Sequence, residues 1–198
     1  APYIPAYSIY TTNSDSGPSA DLNNSTIDTV VNPTLSMTLT ANKGGMTIKN
    51  GQQNITVLSF TASGYTGGDS LQILSARPTG SIVGDSIQAL KLYIDNDTSF
   101  DYSVGDTFVK LLSFNSAMNV FIDTNLNLYL SGANMILTAD LKYSINHNDT
   151  LQFSFPAYHS AAVIANTGPI ANLMNTNYYT IDKNCIFTLN TESFKYLY

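Results

Sequence analysis

The sequence predicts an all-β fold, a β-sandwich or jelly roll of short strands, and three observations lead to this prediction. Apolar residues recur with a period of two, as in Leu35, Met37 and Leu39, which alternate with polar neighbours. Turn-forming sequences rich in Gly, Asn and Asp separate such runs at short spacing. The mixture of Glu, Lys and Arg that covers helix surfaces is missing, because the chain has one Glu and one Arg.

The alternation places the candidate strands one after another along the chain. They span residues 27–31, 34–41, 46–49, 55–62, 71–76, 87–94, 107–114, 118–122, 126–130, 135–145, 151–155, 178–181, 185–189 and 194–197. The single helical candidate is residues 169–175. Residues 77–86 contain a Pro and two Gly, so we expect either a long loop or a boundary between two β lobes there.

The composition describes a neutral, polar surface. Asn, Ser and Thr supply 64 of the 198 residues, against 8 Lys and Arg and 14 Asp and Glu, and the net charge is near -6. The strong apolar alternation argues for a folded domain despite the low charge. A nucleic-acid partner is excluded, since no basic cluster could neutralise a row of phosphates. No apolar run is long enough for a transmembrane segment.

The N-terminal region divides into an arm and a tether. Residues 1–12 form a Tyr- and Ile-rich β-like arm in which Pro2 and Pro5 cannot donate ladder hydrogen bonds. Residues 13–26 are rich in Ser, Asn and Asp and predict a flexible tether, and residues 27–198 form the β body. The arm residues expected to contact a partner are Tyr3, Ile4, Tyr7, Ile9 and Tyr10.

The sequence carries no recognisable catalytic site, and we expect neither an enzyme nor a cofactor. The two histidines, His147 and His159, lie outside any nucleophile-elbow, nucleotide-binding or zinc-protease motif. Cys185 is the single cysteine, which excludes an intrachain disulfide and the paired spacing of a zinc site. We therefore expect histidines in loops and a buried thiol.

The richest acidic stretch offers a weak candidate for calcium. Asp95, Asp97, Asp101 and Asp106 place carboxylates at alternate loop positions, as calcium ligands require. An EF-hand loop would need Gly where Phe100 stands and Glu in place of Asp106. We therefore expect a solvated hairpin loop with no bound metal, and keep calcium as the alternative.

Five N-x-S/T sequons are glycosylation candidates. Their number matches the ~4–5 that this composition would produce by chance. Several lie in predicted turns or the tether, where a glycan is tolerated. The asparagines are Asn23, Asn24, Asn54, Asn96 and Asn148.

An apolar strand on a polar tether can either fold back onto its own body or insert into a neighbour's sheet. Insertion is held by main-chain hydrogen bonds and by pockets for alternate side chains. Such head-to-tail exchange is heterologous, so it continues as a filament unless the rotation closes into a ring. The partner would then be further copies of the same chain.

These features resemble the subunits of archaeal thread filaments from thermoacidophiles. The resemblance rests on the arm APYIPAYSIYTT, the Ser/Asn/Asp tether, the Asn/Thr/Ser/Tyr-rich β body and the sequons. It implies a secreted, glycosylated subunit, possessing N-linked glycans, that inserts its N-terminal tail into the next subunit by donor-strand complementation. The start at Ala1 without Met is what removal of a signal peptide would leave. A surface of Asn, Ser and Thr also keeps its hydrogen bonds in acid, where carboxylates are protonated.

The expected function is therefore a structural subunit of an extracellular, pilus-like filament at the cell surface. The first alternative is a viral capsid or fibre-head sandwich with an exchanged N-terminal arm, because such proteins share this composition. The second is a carbohydrate-binding or calcium-dependent adhesion module.

Overall fold

A computed structural model describes residues 34–64, 69–130, 132–163 and 167–183, together with the backbone of four two-residue strands nearer the N-terminus. The chain divides into two compact units, Ala1–Asn32 and Pro33–Tyr198. In the first unit, β1 (Tyr3–Ile4) pairs antiparallel with β4 (Leu22–Asn23), and β2 (Ile9–Tyr10) pairs antiparallel with β3 (Ser16–Gly17).

The second unit contains the remaining strands. They are β5 (Ser36–Ala41), β6 (Thr47–Lys49), β7 (Ile55–Ser63), β8 (Ser70–Gly80), β9 (Ile87–Ile94), β10 (Thr107–Asn115), β11 (Val120–Asp123), β12 (Leu128–Tyr129), β13 (Met135–Leu141), β14 (Thr150–Phe155), β15 (Ser160–Ala162), β16 (Thr167–Gly168), β17 (Leu173–Met174) and β18 (Tyr179–Asp182). Within the described residues, the one helical element is the 3-10 turn Gly84–Ser86, and no helix is long and apolar enough to cross a membrane.

These strands form one curled sheet of 14 strands that closes over itself as two layers. The order is β5-β7-β13-β9-β10-β11-β8-β14-β18-β6, and every pair on this path is antiparallel except β18 with β6. Phe60 of β7 packs edge-on against Phe155 of β14, with ring centroids 4.6 Å apart. The prediction of an all-β, sandwich-like fold is confirmed.

The first layer contains β5, β7, β13, β9 and β10, and its central strands β7 and β13 are covered on both faces. In β13, Met135, Leu137, Ala139 and Leu141 face the apolar core between the layers. The opposite face of the layer is covered by the loop between β9 and β10, where the ring of Tyr102 lies 5.0 Å from that of Tyr93. Burial on both faces explains why all seven residues of β13 are buried, including the polar Thr138 and Asp140.

Two hydrogen bonds to the carbonyls of a β-bulge in β7 connect the two layers. The register with β13 shifts at Val57, so the carbonyls of Thr56 and Val57 are available to partners outside the ladder. Asn175 donates its side-chain amide to the carbonyl of Val57 at 2.8 Å, and the Tyr179 hydroxyl donates to that of Thr56 at 2.6 Å. Burial raises the pKa of Tyr179 to about 12, which keeps this donor protonated.

Several expectations need correction. Residues 169–175 are not a helix, since they contain the short strand β17 and the side chain of Asn172 accepts a hydrogen bond from the backbone of Ala157 at 2.8 Å. Residues 77–86 are not one loop, because β8 continues to Gly80. The candidate strand at 135–145 ends at Leu141. The candidate strands at 27–31, 185–189 and 194–197 lie outside the described residues.

Candidate functional site

A groove runs along the edge of the body between β5 and the segment that contains β17. One wall is formed by residues 34–42 and the other by residues 169–176. Two cavities of about 300 and 160 Å³ open along it. The two walls belong to different layers, because β5 pairs with β7 whereas β17 pairs with β14. The groove is therefore the open side of the sandwich.

Close contacts fix both ends of this groove. At one end Gly168 lies against Leu35, and an added Cβ would stand 2.0 Å from the Leu35 carbonyl oxygen, so only glycine fits. At the other end Asn42 and Thr176 exchange hydrogen bonds of 2.7 and 2.9 Å. The walls are thus joined at both ends and run in the same direction for about seven residues of β5 and its flanks, roughly 24 Å of extended chain.

The groove is lined by neutral side chains. None of the described residues that line it carries a charge. Leu39 and Leu173 are half-buried against the core, whereas Ile170 and Met174 are 65% and 51% exposed. The surface offers apolar contacts and uncharged hydrogen-bonding groups, which suits a neutral β-strand better than a charged ligand.

The strand β5 presents a free main-chain edge to this groove. Among the described residues it pairs with β7 on one side only. The pairing is regular from Ser36 to Leu39 and shifts before Ala41. Charged side chains usually guard such edges, as Lys49 does on the short edge strand β6, but β5 has none. Its unpaired N–H and C=O groups can therefore accept a further strand.

The structure pairs most of the predicted arm residues within the N-terminal unit. Tyr3 and Ile4 form β1, and Ile9 and Tyr10 form β2. Tyr7 lies outside the described residues. Each pairing is only two residues long, which is marginal for an isolated hairpin. The contact of these residues with a partner stays a prediction.

Three of the four calcium candidates come together in the loop between β9 and β10. Carboxylate oxygens of Asp95, Asp97 and Asp106 lie within 4.8 Å of one another. The loop's own backbone donates to them: Ser99 and Phe100 to Asp95, Ser99 to Asp97, and Asn96 and Ser103 to Asp106. These bonds, between 2.7 and 3.3 Å, fix the turn. They give the carboxylates a structural role that needs no ion.

The fourth candidate, Asp101, is directed elsewhere. Its carboxylate forms a 2.9 Å ion pair with Lys43, a buried side chain in the turn between β5 and β6. Calcium coordination by the other three carboxylates stays a prediction, and a rise in melting temperature on adding calcium would be its measurement.

We predict that Asp97 titrates far below an ordinary aspartate. Hydrogen bonds from the side chain and then the backbone of Ser99 lower its pKa from 3.8 to about 2. Because the folded pKa is depressed, the stability from this group is full above pH 4 and is lost as the pH falls towards 2. Carboxyl carbon shifts followed by NMR should give a midpoint near 2. In Ser99→Ala the midpoint should move towards 3.8; an unchanged midpoint would contradict the assignment.

The two histidines form no catalytic arrangement in the described part of the chain. His147 Nδ1 lies 3.4 Å from Asp182, a carboxylate that also pairs with Lys49 on the surface. His159 follows β14 in a turn. Cys185 lies outside the described residues.

The glycosylation candidates are only partly described. The side chains of Asn54, Asn96 and Asn148 are described, Asn23 is in β4, and Asn24 lies outside the described residues.

Sequence reasoning missed the groove residues that matter most. Asn42, Gly168, Asn175 and Thr176 are not adjacent in the chain and belong to no motif. Only the alternation of β5 could have pointed to this region.

Comparison with known proteins gives no relative. No protein-family model matches the chain, and no curated protein matches it.

Proposed function

We propose that the protein is a structural, non-enzymatic subunit of an extracellular filament that polymerises when the N-terminal strand of one copy enters the groove of another. The observation that supports this most is the uncharged groove along the free edge of β5. A strand added there forms main-chain hydrogen bonds with β5 and places alternate side chains against both layers.

The arm and the groove match in length. The groove spans about seven residues between its two fixed ends, roughly 24 Å. The arm contains a run of the same length without proline, residues 6–12, following Pro5. Since proline cannot donate to a ladder, this run is the part of the arm that can pair along the whole edge.

The arm and the groove also match in charge. Residues 1–12 contain no Asp, Glu, Lys, Arg or His. The described lining of the groove likewise has no charged side chain. Association between two neutral surfaces depends weakly on salt and on pH. This complementarity favours the arm of a second copy over an acidic or basic partner.

Exchange between copies is sterically feasible. Residues 13–32 separate the arm from the compact unit Pro33–Tyr198 and span at most about 70 Å when extended, enough to reach a neighbouring body. Insertion replaces the two-residue pairings of β1 and β2 by a longer ladder. Because donor and acceptor are different surfaces, each added copy leaves a free groove at one end, and growth continues as a filament.

Electron microscopy of the purified protein tests this function directly. Open filaments of uniform width are expected. Closed trimers, pentamers or shells would favour the viral capsid or fibre-head alternative. A protein that remains monomeric and binds glycans would instead be an adhesion module.

A charge placed in the groove should block assembly without unfolding the body. We predict that Ile170→Lys and Met174→Lys each raise the critical concentration at least ~10-fold, about 1.4 kcal/mol, because insertion would bury the ammonium group. Both side chains are more than half exposed, so the free energy of unfolding should change by less than ~0.5 kcal/mol. Sedimentation of filaments at graded concentration measures the effect. Val83→Lys, at a site 60% exposed outside the groove, is the control; equal behaviour of all three variants would contradict the prediction.

A further inference from the structure

The three sequons with a described asparagine differ in what their side chains do. An N-linked glycan replaces one of the two hydrogens on the side-chain nitrogen and must project into solvent. Because the oxygen and the nitrogen lie on one planar amide, a hydrogen bond to either atom fixes where the glycan would point. A folded protein therefore tolerates a glycan best where neither atom of the side-chain amide makes a structural hydrogen bond. The three positions can be compared on this basis.

The side-chain nitrogen of Asn96 is fully used. It donates to the carbonyl of Gly105 at 2.8 Å and to the hydroxyl of Thr107 at 2.9 Å. These two bonds connect the ends of the loop between β9 and β10. Because a glycosylated amide keeps a single hydrogen, a glycan here would break one of them.

Asn54 is held in a buried network. The side chain is half-buried, and its oxygen accepts a 3.0 Å hydrogen bond from Lys91, which pairs with Asp140 at 2.6 Å. The backbone of Asn54 donates to the same Asp140 at 2.8 Å. The sequon hydroxyl of Thr56 is buried and accepts from the backbone of Tyr102 at 2.8 Å. A glycan on Asn54 would have to leave from this half-buried amide while its oxygen stays bonded to Lys91.

The side-chain amide of Asn148 differs from those of Asn54 and Asn96, which make hydrogen bonds. Asn148 is exposed in the turn between β13 and β14, and within the described part of the chain its side-chain amide has no hydrogen-bond partner. The turn is held without it, since the backbone of Asn148 donates to Ile181 at 2.8 Å and Ser81 binds both Asp149 and Thr150. Its φ of 67° is a left-handed conformation that asparagine tolerates.

We propose that Asn148 is an N-glycosylation site and that Asn54 and Asn96 stay unmodified. The donor would be an oligosaccharide linked through phosphate to a lipid, used by an oligosaccharyltransferase. A bond forms between Asn148 Nδ2 and C1 of the first sugar, the bond from C1 to the phosphate oxygen breaks, the lipid phosphate leaves, and the amide proton is released. This proposal is independent of polymerisation.

Mass spectrometry of the full chain, secreted from a host that performs N-glycosylation, tests the proposal. Glycopeptide mapping should find a glycan on Asn148 and unmodified asparagine at positions 54 and 96. Asn148→Asp, which suits the same backbone conformation, should lose one glycan mass. Asn146→Asp, in the same turn but outside any sequon, should keep it. An unmodified Asn148 in the wild-type chain, or a glycan on Asn54 or Asn96, would overturn the assignment.

Discussion

Deletion of residues 1–12 is expected to abolish filament formation and to leave a folded, soluble monomer. The body should survive because Pro33–Tyr198 is a compact unit with its own apolar core. Light scattering and electron microscopy should detect no polymer at concentrations where the full chain assembles, and the melting temperature of the monomer should match that of the body in the full chain. Filaments formed by the shortened chain would rule out the arm as donor.

A pair of proline substitutions within the arm tests whether main-chain hydrogen bonds hold the arm in the groove. Ser8 lies in the middle of the proline-free run, residues 6–12. Because successive N–H groups of a strand point to opposite sides, one of Ser8→Pro and Ile9→Pro removes an N–H from the ladder with β5 and should reduce assembly sharply, whereas Ser8→Ala and Ile9→Ala should assemble normally. Normal assembly of both proline variants would indicate that the arm is not held as a strand.

Phe155→Ala is expected to have the largest effect on stability, a loss of about 3–5 kcal/mol. The ring is fully buried and packs edge-on against Phe60 of the opposite layer, so its removal leaves a cavity where the two layers meet. For a domain of this size the melting temperature should fall by about 10 °C. Urea unfolding followed by circular dichroism measures the change.

Phe108→Ala supplies the matched control for this loss. Phe108 is 55% exposed and its ring contacts Tyr93 with centroids 5.5 Å apart, on the outer side of the first layer. Its truncation should cost about 1 kcal/mol. Similar losses for Phe108→Ala and Phe155→Ala would mean that the core does not lie between the two layers as described.

The sequence predicted strands well where alternation was long. Residues 87–94 were expected as a strand and form β9 with the same bounds, because eight residues of pattern outweigh local ambiguity. The strands β15, β16 and β17, of two or three residues, carry too little pattern to be recognised. The false helix at 169–175 arose from local propensity, which tertiary hydrogen bonds of Asn172 and Asn175 override.

Pro78 explains why the end of β8 was mistaken for a loop. Proline is excluded from a strand that is paired on both sides, so the sequence around it predicted a break. In the structure, the pairing of β11 with β8 ends at Ala76, and Pro78 is opposite Phe153 of β14. A missing N–H is tolerated there because, within the described residues, no strand pairs with Pro78 on the β11 side. Pairing on one side only depends on the order of strands in the sheet, which a local sequence pattern does not reveal.

The candidate site was predictable only in part. The acidic run from Asp95 to Asp106 is local, so its clustering could be expected from spacing, whereas the pairing of Asp101 with Lys43 joins distant turns. The groove depends on β5 being an edge strand and on residues 168–176 lying beside it. The alternation of β5 was visible in the sequence, but the position of β5 at the edge of the sheet was not.

Disulfide trapping between two different chains tests the central claim most directly. One chain carries a cysteine at a position within residues 6–12 and the other carries Thr38→Cys on β5, with Cys185→Ser in both, so a cross-link can form only between copies. We expect disulfide-linked dimers at alternate arm positions, and none with Thr47→Cys on the opposite edge strand β6. The absence of cross-links to position 38, or equal cross-linking to position 47, would contradict insertion of the arm beside β5.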